Sequence, residues 1–182
     1  MSNFVINPYR FVSAGASICN DAVVPSWTST ISTTSIYMRC TPIDVSSLSN
    51  PFTPTHLGYT AGASMDGSLA LGLYTDDSGA GLPDSLICQT DTHAVASTNY
   101  PDPLYLETLT NPSTSHSGKL WIGVIFSGVT LATSNFKGYQ PIDEPYDSFY
   151  MNYDPVNYPD CPATFVEQGG TGTNYFFCLT AS

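Results

Sequence analysis

Apolar side chains in this sequence come in short runs separated by Gly, Pro, Asn and Asp, without the sustained three-and-four spacing of an amphipathic helix. Such a pattern predicts strands and turns. The runs place strands near Phe11–Ala14, Ser17–Val23, Ser29–Cys40, His56–Ala61, Leu69–Thr75, Ser85–Thr92, Leu104–Leu109, Lys119–Phe126, Ser148–Tyr153 and Asn174–Thr180. About 8–10 short strands make a jelly-roll-sized set. The expected fold is all-β: an antiparallel, jelly-roll-like β-sandwich as one domain over residues 13–182, preceded by an N-terminal arm over residues 1–12.

Two of the runs differ in kind. Between Thr30 and Cys40 polar and apolar residues alternate, so Ile36, Met38 and Cys40 share one face while Tyr37 and Arg39 take the other, as in a half-buried strand. The run Leu120-Trp121-Ile122-Gly123-Val124-Ile125-Phe126 has no polar side, as expected of a central strand covered on both faces. Its Gly123 leaves room for a neighbouring ring against the backbone. Asp66-Gly67 is a tight-turn dipeptide, and Asp76–Asp84 is a turn-rich connector between two apolar strands. The segment Gly138–Pro162 combines Pro141, Pro145, Pro155, Pro159 and Pro162 with a dense set of tyrosines and acids. Proline repeatedly removes a ladder donor there, so a long, ordered but irregular Tyr/Pro-rich loop is expected.

Composition narrows the function classes. The chain of 182 residues carries a formal charge of −11, and its only strong cations are Arg10, Arg39, Lys119 and Lys137. Nucleic-acid binding depends on Lys and Arg neutralising phosphates, so neither DNA nor RNA is an expected partner. Anionic membrane surfaces are disfavoured for the same reason, and no apolar run approaches the roughly 20 residues of a membrane-spanning helix. The N-terminal stretch shows no secretory signal pattern, which predicts use without classical export. Cys19, Cys40, Cys88, Cys161 and Cys178 form an odd set without metal-type spacing, expected mostly as reduced core thiols, with a pair such as Cys40 to Cys178 left open.

Catalytic patterns are weak. His56, His93 and His116 lack metalloprotease spacing and are expected as ordinary surface histidines. Gly62-Ala63-Ser64-Met65-Asp66-Gly67 approaches a nucleophile elbow but misplaces its glycine and precedes no helix, so a turn suffices. Asp143, Glu144 and Asp147 offer carboxylates without a recognisable cleft for glycoside hydrolysis. Asp76, Asp77 and Asp84 could supply hard oxygens to Ca²⁺, yet the loop lacks the regular spacing of a calcium motif, and turn-stabilising hydrogen bonds are the simpler role. No enzyme, cofactor or favoured metal site is expected.

Tyrosine points elsewhere. Tyr139, Tyr146, Tyr150, Tyr153 and Tyr158 offer rigid rings with polar tips, suited to a subunit or partner interface, to stacking on sugar, or to packing the loop on its own sandwich. The apolar arm with Phe4, Ile6, Pro8, Tyr9 and Phe11 suits strand addition to a neighbour's sheet edge.

The stretch Leu69-Ala70-Leu71-Gly72-Leu73-Tyr74-Thr75-Asp76-Asp77-Ser78-Gly79-Ala80-Gly81-Leu82-Pro83-Asp84-Ser85-Leu86-Ile87 resembles a recurrent pattern in which a strand ending Leu-Tyr leads through Asp, Ser and Gly to a Gly-x-Pro turn and a Ser-Leu strand. Leu120–Val124 looks like its companion strand and Asn174-Tyr175-Phe176 like its closing strand. Phe4-Val5-Ile6-Asn7-Pro8-Tyr9-Arg10-Phe11 looks like the short arm that opens phage-type structural proteins. The pattern is similar to surface β-sandwich domains of tailed-bacteriophage virion proteins and related bacterial surface modules. That resemblance implies a virion structural protein, a head-decoration or tail/fibre component assembled in the host cytoplasm. It implies self-association, with closed rings such as trimers, and contact with other virion proteins. The alternatives are a carbohydrate-binding module on a phage fibre or cell surface and, more weakly, a filament-forming surface subunit. The resemblance supplies no catalytic residues.

Overall fold

The computed structural model describes residues 16–19, 28–30, 37–48, 52–60, 67–94, 104–112, 117–127, 135–139, 148–154, 157–171, 174–175 and 177–181. The arm, with Phe4, Ile6, Pro8, Tyr9 and Phe11, lies outside the described residues, as does the strand expected at Phe11–Ala14. The described strands are β1 (Ala16–Cys19), β2 (Thr28–Thr30), β3 (Tyr37–Asp44), β4 (Pro54–Thr60), β5 (Ser68–Asp77), β6 (Leu82–Thr90), β7 (His93–Ala94), β8 (Leu104–Thr110), β9 (Lys119–Ser127), β10 (Asn135–Tyr139), β11 (Ser148–Asn152), β12 (Gly169–Thr171), β13 (Asn174–Tyr175) and β14 (Phe177–Ala181).

Alternating side chains make these strands pack in layers. One layer runs β1-β14-β4-β8 and the other β6-β5-β9-β3, extended by β11 and β12. The two join where Gln89 and Thr90 of β6 pair with Thr110 and Leu109 of β8. With β1, β3, β4, β5, β6, β8, β9 and β14 numbered in chain order, the layers read first-eighth-third-sixth and second-seventh-fourth-fifth. Their pairings are antiparallel. This is jelly-roll connectivity, and the all-β sandwich expected from the sequence is the fold observed. β7 adds to β5, and β13-β10-β2 form a separate small sheet.

The strand expected over Ser29–Cys40 is found as β2 and β3, with residues 31–36 outside the described set, and β3 runs on to Asp44. Met38 and Cys40 are buried on one face as the alternation predicts, but Thr41 and Ile43 are buried on the other. Half-burial ends where the first layer begins to cover the strand. β7, β10 and β12 are additions to the expected set, short pieces carrying too little alternation to be seen in sequence.

Both faces of β5 and β9 are covered. Inward, Leu69, Leu71 and Leu73 with Leu120, Ile122 and Val124 meet Leu57 and Tyr59 of β4 and Phe177 and Leu179 of β14. Outward, Ala70, Tyr74, Trp121 and Ile125 pack with Met38 and Cys40 against Met151, Tyr153, Cys161 and Phe165. Gly72 and Gly123 are register partners on this outer face. A Cβ at Gly123 would strike Met38 and come 2.9 Å from Cys40 Sγ and 3.3 Å from the Tyr74 ring, which is the close ring approach this glycine permits.

Cys19 and Cys178, register partners on β1 and β14, form a disulfide. Cys178 therefore pairs with Cys19, and Cys40 is a free buried thiol like Cys88 and Cys161. The open Cys40 to Cys178 possibility falls because Cys178 is bonded to Cys19 and Cys40 packs in the outer core, on the face of β3 turned away from the first layer.

Candidate functional site

Where β3 meets β11, the antiparallel register sets Tyr150 opposite Arg39 and Asn152 opposite Tyr37. Side chains directly opposite share a face, and diagonal neighbours are within reach of aromatic rings. The Tyr37 and Tyr150 rings accordingly lie 4.8 Å apart between centroids, tilted at 49°. Both residues are half-buried. On its other side Tyr150 lies across Gly169 of β12, where an added Cβ would fall 2.8 Å from the Tyr150 hydroxyl. Only glycine lets the ring rest there. Arg39 Nη1 donates to the Tyr175 hydroxyl at 3.2 Å, and its guanidinium carbon lies 5.6 Å from the Tyr175 ring centroid. The result is a fixed platform of Tyr37, Tyr150 and Arg39, bordered by exposed Asn152.

Of the tyrosines singled out in sequence, Tyr150 is the one that the structure places on this platform. Tyr153 is 4% exposed and packs in the outer core, with half-buried Tyr158 against the same cluster. Tyr139 is placed by its backbone alone, opposite Asn174, and Tyr146 lies outside the described residues. Tyr37 and Arg39 were legible only as sharing one face of an alternating strand, opposite to Met38 and Cys40. Nothing in the sequence brings them to Tyr150, because β3 and β11 are distant in the chain and their register is tertiary.

The loop that carries Tyr153 and Tyr158 is anchored by backbone bonds. Tyr74 donates its hydroxyl to the Pro162 carbonyl at 2.8 Å, and Gln89 Oε1 accepts from the Cys161 amide at 2.8 Å. Leu86 N donates to Ala163 O, and Phe165 N to Asp84 O. Burial pushes the Tyr74 hydroxyl far above the usual phenol range.

The carboxylates considered for Ca²⁺ have separate partners. Asp76 Oδ1 accepts from Trp121 Nε1 at 2.7 Å and pairs with Lys119 Nζ at 3.2 Å, while that ammonium lies 4.8 Å from the Trp121 ring centroid. Asp77 accepts from the Gly79 amide at 2.9 Å, holding the β5–β6 turn. Asp84 accepts from Ser85 Oγ at 3.1 Å. Among the described residues no group of three or more His, Cys, Asp or Glu is placed to hold a metal ion. Asp143, Glu144 and Asp147, and Ser64 of the elbow-like turn, lie outside the described residues.

His93 sits partly exposed on β7, with Nδ1 2.8 Å from Glu107 Oε1. Glu107 stands opposite Leu57, an inward residue of β4, so its carboxylate faces the sandwich interior. Burial raises its pKa, while His93 and His56 pull it back down. His56 Nδ1 is 3.3 Å from Thr180 Oγ1, and His116 lies outside the described residues. At the opposite end of the strands, Ile18, Pro42, Asp44, Ser46, Gly118 and Lys119 line a cleft of about 770 Å³. No described helix is long and apolar enough to cross a membrane.

No protein-family profile matches this chain, and no curated protein matches it. Among solved structures it is similar to the cysteine protease and lectin-like domains of Cwp84, a surface layer associated protein of Clostridium difficile, at 12% identity and a TM-score of 0.44. The likeness covers 80% of this chain and 32% of that one, so this chain spans about a third of that chain's length.

Proposed function

We propose that this chain is a non-catalytic display module of a phage fibre or cell surface, and that it binds glycan on the Tyr37–Tyr150 platform. The observation that carries this reading is the half-buried ring pair, held at 4.8 Å by sheet register and by the glycine beneath Tyr150. A ring already fixed loses little entropy on binding, and the part of the pair left exposed can contact a sugar. A disulfide between β1 and β14 is consistent with an oxidising setting such as a cell or virion surface. Glycan-array binding by the full chain, repeated with Tyr150→Ala, tests this. The variant should keep its fold and lose at least about tenfold in affinity, about 1.4 kcal/mol. Unchanged binding would remove Tyr150 from the site.

The second reading, a head-decoration or tail/fibre structural protein of a bacteriophage, draws on the Leu69–Ile87 resemblance, which corresponds to the β5–β6 hairpin of the second layer. It requires self-association through the arm. Native mass measurement with and without residues 1–11 decides it: loss of oligomer with a folded monomer supports arm-mediated assembly, and an unchanged oligomer rejects it.

A further inference from the structure

We infer that the sugar taken by the platform carries a carboxylate and that Arg39 is its counter-charge, an inference that rests on the glycan reading above. Arg39 stands directly across the β3–β11 ladder from Tyr150, on the face that carries Tyr37. Its guanidinium is held by the Tyr175 ring and by one bond to a neutral hydroxyl, at 3.2 Å. Most of its N–H donors are left unused by those contacts. The chain has 15 Asp and Glu against 4 Lys and Arg, yet among the described residues no carboxylate pairs with this arginine. Lys119 shows the contrast, since it is paired with Asp76 at 3.2 Å.

A planar guanidinium fixed in orientation matches a carboxylate with two parallel hydrogen bonds, and orientation is what a freely rotating ammonium lacks. The part of the half-buried Tyr37–Tyr150 pair that remains exposed would contact the same sugar, and Asn152 lies at the border to meet its hydroxyls. The overall charge of −11 opposes an acidic ligand at long range. Physiological salt screens that field over about 8 Å, so contact with Arg39 decides affinity at close range.

The test compares charged probes with neutral counterparts on the intact chain: oligogalacturonate against its full methyl ester, and sialyllactose against lactose, by calorimetry. The acids should bind at least about tenfold tighter, which is about 1.4 kcal/mol. Arg39→Gln should bring the acid-to-neutral affinity ratio down to about one, Arg39→Lys should keep part of the difference, and Tyr150→Ala should weaken both classes. Equal binding of acid and ester, still dependent on Tyr150, overturns the carboxylate inference and leaves the glycan reading standing. Tighter binding of sulfated lactose than of sialyllactose also overturns the carboxylate assignment. No binding of any probe in calorimetry or on the glycan array overturns both. The acid-to-ester ratio is read on the unmodified protein, so it stands even where an Arg39 variant fails to fold.

Discussion

The central strands β5 and β9 are covered on both faces, but the two covers are built differently. The inner face meets another β-layer, whose Leu57, Phe177 and Leu179 interdigitate with aliphatic rows and whose backbone bonds are completed by its own ladder. The outer face meets an irregular segment that supplies Tyr153, Cys161 and Phe165. Chain without a ladder must satisfy its backbone polar groups individually. That is the task of Tyr74, Gln89, Leu86 and Asp84, which bond Pro162, Cys161, Ala163 and Phe165. Aliphatic packing thus closes one face, and side-chain and edge hydrogen bonds fasten the other. Such a cover is expected to open locally while the sandwich stays intact.

Truncation of the inner face should have the largest effect. Phe177→Ala removes a fully buried ring between the layers and should cost about 3–5 kcal/mol, lost in one cooperative transition in urea. A biphasic transition would contradict a single interlayer core. On the outer face Gly123→Ala forces a Cβ into Met38 and towards Cys40, and overpacking of this kind should cost about 1–3 kcal/mol. An unchanged urea midpoint would show that the outer face has slack.

Tyr74→Phe is milder and more local. Loss of the bond to Pro162 should lower stability by about 1 kcal/mol, with faster hydrogen exchange at the Cys161 and Phe165 amides and little change at Ile122 or Val124. Uniform acceleration at all four positions would mean that the cover and the sandwich open together.

The smallest effect separates the faces by thiol chemistry. Burial pushes Cys88, in the inner core, up to about 12, and burial followed by the nearby Asp160 charge pushes Cys161, in the outer core, to about 12. Because these thiols lose protons less readily when folded, their stabilisation is complete below the ordinary value near 9.0 and is lost as pH rises through about 12. At pH 8, disulfide-exchange labelling should reach Cys161 first, through local opening, and Tyr74→Phe should hasten Cys161 alone. Labelling of Cys88 ahead of Cys161 would reverse the comparison.

Much of this was legible in the chain. The unbroken apolar run around Ile122 required two covers, and a turn-rich connector between two apolar strands was expected at Asp76–Asp84. Periodicity could not say that the second cover would be the Tyr/Pro-rich segment, since irregular chain has no period to match with a partner. Tyr153 illustrates the limit: the same ring chemistry serves an interface or a core, and only its 4% exposure places it in the core. Cys178 is similar, because pairing depends on which strand lies beside β14, and that neighbour is β1 from the far end of the chain.

By itself the sequence determined the strand-and-turn character, the doubly covered centre and the acidic, cation-poor surface, because alternation, turn chemistry and charge are local properties of residue type. Tertiary structure alone decided the platform. Tyr37, Arg39, Tyr150 and Gly169 become neighbours through the register of β3, β11 and β12. A one-residue slip in either pairing would send the shifted strand's side chains to the opposite face, and no pattern within a single strand specifies which residues it will stand against.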